Sequence, residues 1–593
     1  MSDFILTSSK PKEGLLSGCI EKYGFDNKKP VKEISYGWLK IAYKENHYNG
    51  FGTYETDKYF CLVVGGPVLN FCDNCFISSD KSNEGTKRIF KRWVFDNKII
   101  WDEDLSGPFV VLLIDKIERK VSVITDMMSF IPVYQKKISS GLSIGTHLDS
   151  LVSAFGGELD QVSMLDYITN EVVTFPHTMF KEFVQLYPGS NYEWANDFSE
   201  LKNVYWIPEE AKETSVKKDE LSERLYNALK GFVKKVTDSS DLYLSFVSGG
   251  EDSRLVLSLL PRKEKLKAIL FLDRVNEEYK VAKKVCDILG IDIKLYKRSK
   301  SYYWDIFRGA SDLVGIGFDY AHVHTYGFVH RCQLDQYDAV FGGFLADTLL
   351  KGHHIRKKRI PSFISFLPIP DRTSNSKDSH VSEHNSIYNE AVLSRVKKRR
   401  EAHERWVKEM RVHSFREWSK LYPASMHNDI PNINGNRRLF KSFEPFTSNE
   451  VVKIAAIASS HQKLNRRLFH SSFKRIYKKT KFIKHTNGSY PYMPWFVNNI
   501  FKFIASVKKK ILNHIIGERS NSGSWVDWST IIKSDKAKEL EEKFIPSILN
   551  EEQNIFTINL RDGVVCSDSI STRQKRLILQ LGYRLDRIRN EDY

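Results

Sequence analysis

The chain has 593 residues, 41% of them hydrophobic, and 90 Lys plus Arg against 73 Asp plus Glu give a formal net charge of +17. That length and apolar content predict two or three ordinary globular domains. Seven cysteines at scattered spacings exclude a disulfide framework, and the lack of any run of 18 apolar residues excludes a transmembrane helix.

The positive charge admits an acidic partner: phosphate, nucleic acid, anionic polysaccharide or a membrane surface. The basic residues are interspersed with acids, however, which predicts a solvated surface. A nucleic-acid partner is therefore disfavoured. Met1-Ser2-Asp3-Phe4 does not open a signal peptide, and the cysteine usage predicts a reducing, cytoplasmic setting. Cys72 and Cys75 form a lone C-x-x-C with no second pair beside it, which predicts packing rather than zinc.

In chain order, residues 59–70 predict a β-rich run with a Gly-Gly turn. Residues 107–134 predict two strands joined by a charged hairpin at Asp115–Lys120. Strands dominate to about residue 205. From residue 216 the pattern changes to alternation. A charged helical stretch leads into the apolar run Leu242–Val247, followed by a helix over Asp252–Leu260 and a strand over Leu266–Leu272. A helix over Asn276–Leu289 and strands at Ile291–Tyr296 and Tyr337–Phe341 come next. Such alternation predicts a parallel sheet with helices on both faces. Residues 371–386 are a polar loop, 387–412 a long basic helix, and the tail beyond 500 is mostly helical, with Arg573–Arg589 again basic.

The informative segment is Ser248-Gly249-Gly250-Glu251-Asp252-Ser253-Arg254, where a strand runs directly into a helix. Adjacent glycines allow the backbone to approach a ligand closely. The helix start offers unpaired N–H groups, and Ser248 and Ser253 add hydroxyl donors. Pyrophosphate suits such a cradle. Asp252 suits it only if the carboxylate holds a magnesium ion bridging the phosphates. No Gly-Lys-Ser/Thr follows, so this is not a Walker loop.

The segment resembles the PP-loop of ATP pyrophosphatases, Ser-Gly-Gly-x-Asp-Ser. The rest of the chain resembles the asparagine synthetase family. Leu105, Gly107, Phe109, Asp115, Asp126, Pro132 and Tyr134 match its N-terminal signature, and Phe271-Leu272-Asp273, Glu278 and Ala282 follow the loop as in that family. The resemblance implies an α/β protein. Residues 1–208 would form an α+β glutamine-amidotransferase-like, Ntn-type β-sandwich domain. Residues 215–500 would form a doubly wound parallel-sheet PP-loop synthetase domain, and 501–593 a helical C-terminal extension.

Two departures from the family pattern matter. Its N-terminal cysteine nucleophile is replaced by Ser2 and the following glycine by Asp3, which implies a degenerate amidotransferase domain without glutaminase activity. Its second motif, Ser-Gly-Asp-Gly-Ala-Asp-Glu-Leu, matches Gly342-Gly343-Phe344-Leu345-Ala346-Asp347-Thr348-Leu349. Asp347 survives, and the resemblance assigns it to Mg²⁺ beside Asp252. Phe344 and Thr348 replace two acids, so the acceptor side of the pocket is rebuilt.

The implied cofactors are ATP and Mg²⁺. ATP would lie on Ser248, Gly249, Gly250 and Ser253, with adenine near Leu272 and with Gly342 and Gly343 beside it. A catalytic lysine is expected late in the chain, at Lys481 or Lys484, with Lys484 taken alongside Asp252 and Asp347. The implied reaction adenylates a carboxylate and couples it to ammonia or an amine. The carboxylate belongs to aspartate (asparagine biosynthesis), a polysaccharide uronic acid or a peptide. A homodimer is left open. The alternatives are a tRNA-modifying PP-loop enzyme and a non-catalytic nucleotide-binding scaffold. Three histidines, His322, His324 and His330, do not share a helix face, which predicts core or surface roles.

Overall fold

The computed structural model describes residues 3–589 except 26–28, 80–81, 138–140, 212–216, 262, 359–369, 375–386, 517–525, 549–554, 559 and 561–562. Ser2 and most of the polar stretch 371–386 thus lie outside the described residues.

The first two hundred residues build two antiparallel six-stranded sheets. One sheet is centred on Phe4–Thr7, between Ser143–Gly145 and Lys40–Lys44. The other is centred on Phe109–Asp115, between Tyr59–Gly65 and Lys120–Thr125. Alternate residues explain the stacking. Phe4, Leu6, Ile41 and Tyr43 meet Phe60, Leu62, Val64, Val110 and Leu112 in one buried layer. The intervening Ile5 and Ala42 pack outward against helices, as do Cys61 and Val63. Both faces of each sheet are therefore covered, which is why runs such as YFCLVVG and FVVLLID are apolar throughout.

Two charged turns tie this half together. Asp115 accepts N–H groups from Ile117 and Glu118 at the predicted hairpin. Asp126 accepts them from Met128, Phe130 and Ile131.

The second half is a parallel sheet of β1 (Tyr243–Phe246), β2 (Leu266–Leu272), β3 (Asp292–Lys297), β4 (Ala339–Phe341) and β5 (Ser442–Phe443). Its spatial order is β3-β2-β1-β4-β5, all parallel. This is the doubly wound order, and its switch point falls between β1 and β4, where ligands bind in such sheets. Helices α1 (Glu251–Leu259), α2 (Glu277–Leu289) and α3 (Ala346–Leu350) follow β1, β2 and β4.

Of the basic helices, the last turns inward and the first only in part, with Arg395, Lys397, Lys398, Arg405 and Lys408 exposed to solvent as expected. In α4 (Glu390–Met410), Arg399 pairs with Asp160 and Arg400 with Asp166. From α5 (Pro431–Leu439), Arg437 and Arg438 both pair with buried Asp3. Helix α6 (Trp495–Ile516) runs through the expected boundary at residue 500. In the tail, α7 (Thr572–Arg589) is buried along most of its length, with Arg576 on Asp319 and Arg584 on Asp149 and Asp312. Its Leu577, Ile578 and Leu581 share one apolar core with Tyr303, Phe307 and Tyr320. The extension thus packs against both halves, with Arg584 on Asp149 of the first and Arg576 on Asp319 of the second, and no described helix is long and apolar enough to cross a membrane.

Candidate active site

β1 delivers its C-terminal end to Ser248, and α1 starts at Glu251 with Gly250 as N-cap. The turn is held by its own serines: the Ser248 N–H donates to Ser253 Oγ at 3.0 Å, and the Gly250 N–H donates to Ser248 Oγ at 3.1 Å. The Gly249 N–H donates to Glu278 Oε1 at 2.8 Å, so a carboxylate already sits on the cradle. The glycines are needed for closeness rather than for left-handed backbone. A Cβ on Gly249 would lie 3.0 Å from Thr486, and one on Gly343 would lie 3.0 Å from the Asp252 carbonyl carbon and the Ser253 nitrogen. The loops after β1 and β4 are therefore packed backbone to backbone.

This packing brings Asp252 and Asp347 to one cation. Lys351 Nζ contacts Asp252 Oδ1, lies 2.9 Å from Asp347 Oδ1 and 3.4 Å from Glu251 Oε2. Glu251 also pairs with Arg466. Burial raises the Glu251 pKa, but Arg466 and Lys351 outweigh it and hold the carboxyl at about 2. Burial dominates at Asp252 and pushes its pKa to about 7 against the pull of Lys351. Lys351 is buried too, yet its three acids keep it an ammonium.

Two cavities meet at Asp252, Asp347, Glu278 and Gly250. The larger, about 510 Å³, is walled by Phe246–Ser248 and Ile269–Phe271, with Arg298, His324, Asn432, Asn436, Phe344 and Glu444. Arg298 Nε donates to Asp273 Oδ1 at 2.7 Å, which aims the guanidinium. The other, about 450 Å³, is ringed by Lys351, Lys357, Arg466, His485 and Lys502. One chamber thus offers apolar and aromatic walls with a few polar groups, as small-molecule sites do, and the other has a mixed-charge lining in which Lys351, Lys357, Arg466 and Lys502 stand among Glu251, Asp252, Glu278, Asp347 and Asp371.

Of the sequence-predicted residues, Ser248, Gly250, Ser253, Asp252, Gly342, Gly343 and Asp347 line one or both cavities. Gly249 stands at the turn. Leu272 is fully buried and lines neither cavity; Phe271, one residue earlier, faces the larger one. Lys484 is exposed and lines neither. Lys351 stands in the cleft instead, and its neighbour in sequence to Asp347 at i, i+4 was the available signal. His324, expected in the core or at the surface, is buried on the wall of the larger cavity, and burial with Arg298 nearby lowers its pKa to about 3. Thr348, in place of the family's glutamate, bonds His427 Nε2 at 2.9 Å.

A magnesium ion fits the donor set. Two carboxylates from different loops share one cation, both are hard oxygen ligands, and the adjoining cradle leaves room for phosphate oxygens to supply the rest. Among the described residues no three His, Cys, Asp or Glu side chains form a ready metal cage, and Cys72 and Cys75 are free.

Residues 92–206 match the family model for a glutamine amidotransferase domain, and residues 224–480 match that for asparagine synthase. The chain belongs to the asparagine synthetase family. The first match takes in strands of both antiparallel sheets, and the second spans the whole parallel sheet. Among solved structures, glutamine phosphoribosylpyrophosphate amidotransferase from B. subtilis is 11% identical, with 50% of this chain and 65% of that one covered and a TM-score of 0.23. The allosteric regulatory enzyme of purine biosynthesis is 8% identical, with 50% and 80% covered and a TM-score of 0.24. The chain thus spans just under two thirds of the first of these, and scores this low carry no argument. No curated protein matches the chain.

Proposed function

We propose that the chain adenylates a substrate carboxylate with ATP, releasing pyrophosphate, and joins the activated acyl group to ammonia or an amine. One observation carries this reading: Asp252 and Asp347, 95 positions apart, meet on a single cation at the junction of an apolar and a mixed-charge chamber.

Adenine lies against Phe271 in the larger cavity, and the phosphates lie on Ser248–Ser253. Asp252 and Asp347 hold Mg²⁺, which neutralises charge on the phosphate oxygens. The N–H groups of the cradle and the hydroxyls of Ser248 and Ser253 orient the phosphates for attack at the α-phosphorus. Lys351 turns from its carboxylates to the phosphates. Lys357, Arg466 and Lys502 receive the leaving pyrophosphate, so catalysis is mainly positioning and charge neutralisation.

The carboxylate belongs to aspartate, a polysaccharide uronic acid or a peptide. The nitrogen comes from free ammonia or an amine, because Asp3 is committed to Arg437 and Arg438 and the family's cysteine is absent. We assign the sandwich to residues 1–208 and the synthetase to the remainder, in a cytoplasmic protein, with homodimerisation open to sedimentation analysis. ATP–pyrophosphate exchange over a panel of carboxylates, with Asp252→Ala as control, tests the reading. Exchange with none of them would leave a nucleotide-binding scaffold.

A further inference from the structure

Glu444 follows β5 and lines the larger cavity. Its side chain is almost fully buried, at 5% exposure. Among the described residues its carboxyl makes one hydrogen bond, accepted by Oε2 from the Phe344 N–H at 3.1 Å. No lysine or arginine pairs with it there. The three acids of the cleft, by contrast, all share Lys351.

Space for this carboxyl has been cleared at one place. A Cβ on Gly342 would lie 2.1 Å from Glu444 Oε1 and 2.6 Å from Oε2, so only glycine lets the acid lie across the end of β4. The strand before it is pinned from the other half of the molecule. The Tyr48 hydroxyl donates to the Ser442 carbonyl at 3.0 Å and accepts the Ser442 N–H at 3.0 Å. The sandwich thus holds Glu444 in place.

Holding the Phe344 N–H does not require an acid. A glutamine carbonyl would accept the same bond without the cost of burying an ionisable group. Burial pushes this carboxyl to about 7, opposed only by the Phe344 N–H. It therefore exchanges a proton near neutrality, which suits a general base. It also reaches the N–H of Phe344, the residue standing where an acid is expected in the second motif. A carboxylate lost from the β4 loop is restored there from the end of β5.

We propose that Glu444 is the general base that deprotonates the nitrogen nucleophile in amide formation. This rests on the adenylation reading above. The amine enters neutral, having left one proton in water. Its lone pair forms the C–N bond to the acyl carbon, the N–H proton passes to the Glu444 carboxylate, and the C–O bond to AMP breaks with its electron pair on the phosphate oxygen.

The charged or titratable groups sharing this cavity are Arg298, His324, Asp252, Glu278 and Asp347, and Tyr48 approaches Glu444 from the sandwich. Burial keeps Tyr48 and His324 neutral near pH 7. Asp252 serves both half-reactions, so the ratio of amidation to exchange cancels its contribution.

The test uses the full chain with L-aspartate, D-glucuronate and a glutamyl peptide as carboxylates, and ammonium or hydroxylamine as nitrogen source. Glu444→Gln should keep ATP–pyrophosphate exchange within about 2-fold, lose amidation from ammonium by about 100-fold, and recover most product with hydroxylamine, whose adduct is acidic enough to lose its N–H proton to water. In the wild type, with free ammonia held constant, the ratio of amidation to exchange should rise with pH through about 7, and this rise should vanish in Glu444→Gln. Parallel loss of exchange and amidation, or unchanged amidation, would overturn the proposal. Failure of the wild type to exchange with any carboxylate would instead remove the adenylation reading beneath it. If the variant does not fold, glutamate-specific ¹³C labelling of the wild type decides. A protonated-carboxyl infrared band should persist at about pH 6, where ordinary glutamates are ionised, and disappear as pH rises through about 7; its absence at about pH 6 would sink the assignment.

Discussion

The seam between the two halves and the cleft of the second half both bury acids, but they neutralise them differently. At the seam each acid has its own arginine: Asp3 has Arg437 and Arg438, Asp149 has Arg584, Asp160 has Arg399 and Asp166 has Arg400. In the cleft Glu251, Asp252 and Asp347 share Lys351, with Arg466 reaching only Glu251. Arginine's planar fork fixes geometry, whereas a lysine ammonium is a movable point charge. The seam is thus built to stay, and the cleft is built to exchange partners.

The largest expected effect lies at the seam. Asp3→Asn leaves two buried guanidinium groups without their carboxylate and should lower unfolding free energy by about 3–5 kcal/mol, measured by urea titration. Burial raises the Asp3 pKa, but Arg438 and Arg437 outweigh it and hold it well below its ordinary value. Its stabilisation is therefore complete above the unfolded pKa of about 3.9 and fades as pH falls below it. The acid limb of the wild-type stability curve should be correspondingly shallower in the variant. Unchanged stability would mean that the seam is not what joins the halves.

The matching change in the cleft should separate activity from stability. Asp252→Ala should reduce ATP–pyrophosphate exchange by about 100–1000-fold while shifting unfolding by less than about 1 kcal/mol. Next, Gly343→Ala forces a methyl against the Asp252 and Ser253 backbone and should cost about 1–3 kcal/mol by overpacking, with nucleotide affinity falling in calorimetry. The smallest effect is expected from Tyr48→Phe, which leaves the Ser442 N–H and carbonyl without their shared hydroxyl and should cost about 1–2 kcal/mol in thermal unfolding.

Much of the fold was legible because its signals are local. The apolar run 266–272 is β2 to the residue, and the helix expected at Asn276–Leu289 is α2 with Asn276 as its N-cap. The Ser-Gly-Gly turn reads directly from an apolar run followed by a helix start. What escaped the sequence has partners far along the chain. Lys351 looks like any exposed lysine after a helix, Arg466 meets Glu251 across 215 positions, and Glu444 meets Phe344 across 100. The arginines of α4 and α7 look like a basic surface because a charge count cannot say which way a side chain faces. Lys484 answers to the family's late catalytic lysine in sequence, but the packed structure leaves it exposed and outside the cleft.

Lys351 also has a kinetic meaning. A divalent ion approaching Asp252 and Asp347 must displace an ammonium that is tethered four residues from one of them and so never diffuses away. An ion that arrives alone gives up hydration for ligands already taken. One that arrives chelated by a triphosphate brings its own oxygens and hands the displaced ammonium a new anion. On the adenylation reading, loading would therefore be ordered, with the metal–nucleotide complex entering as a unit.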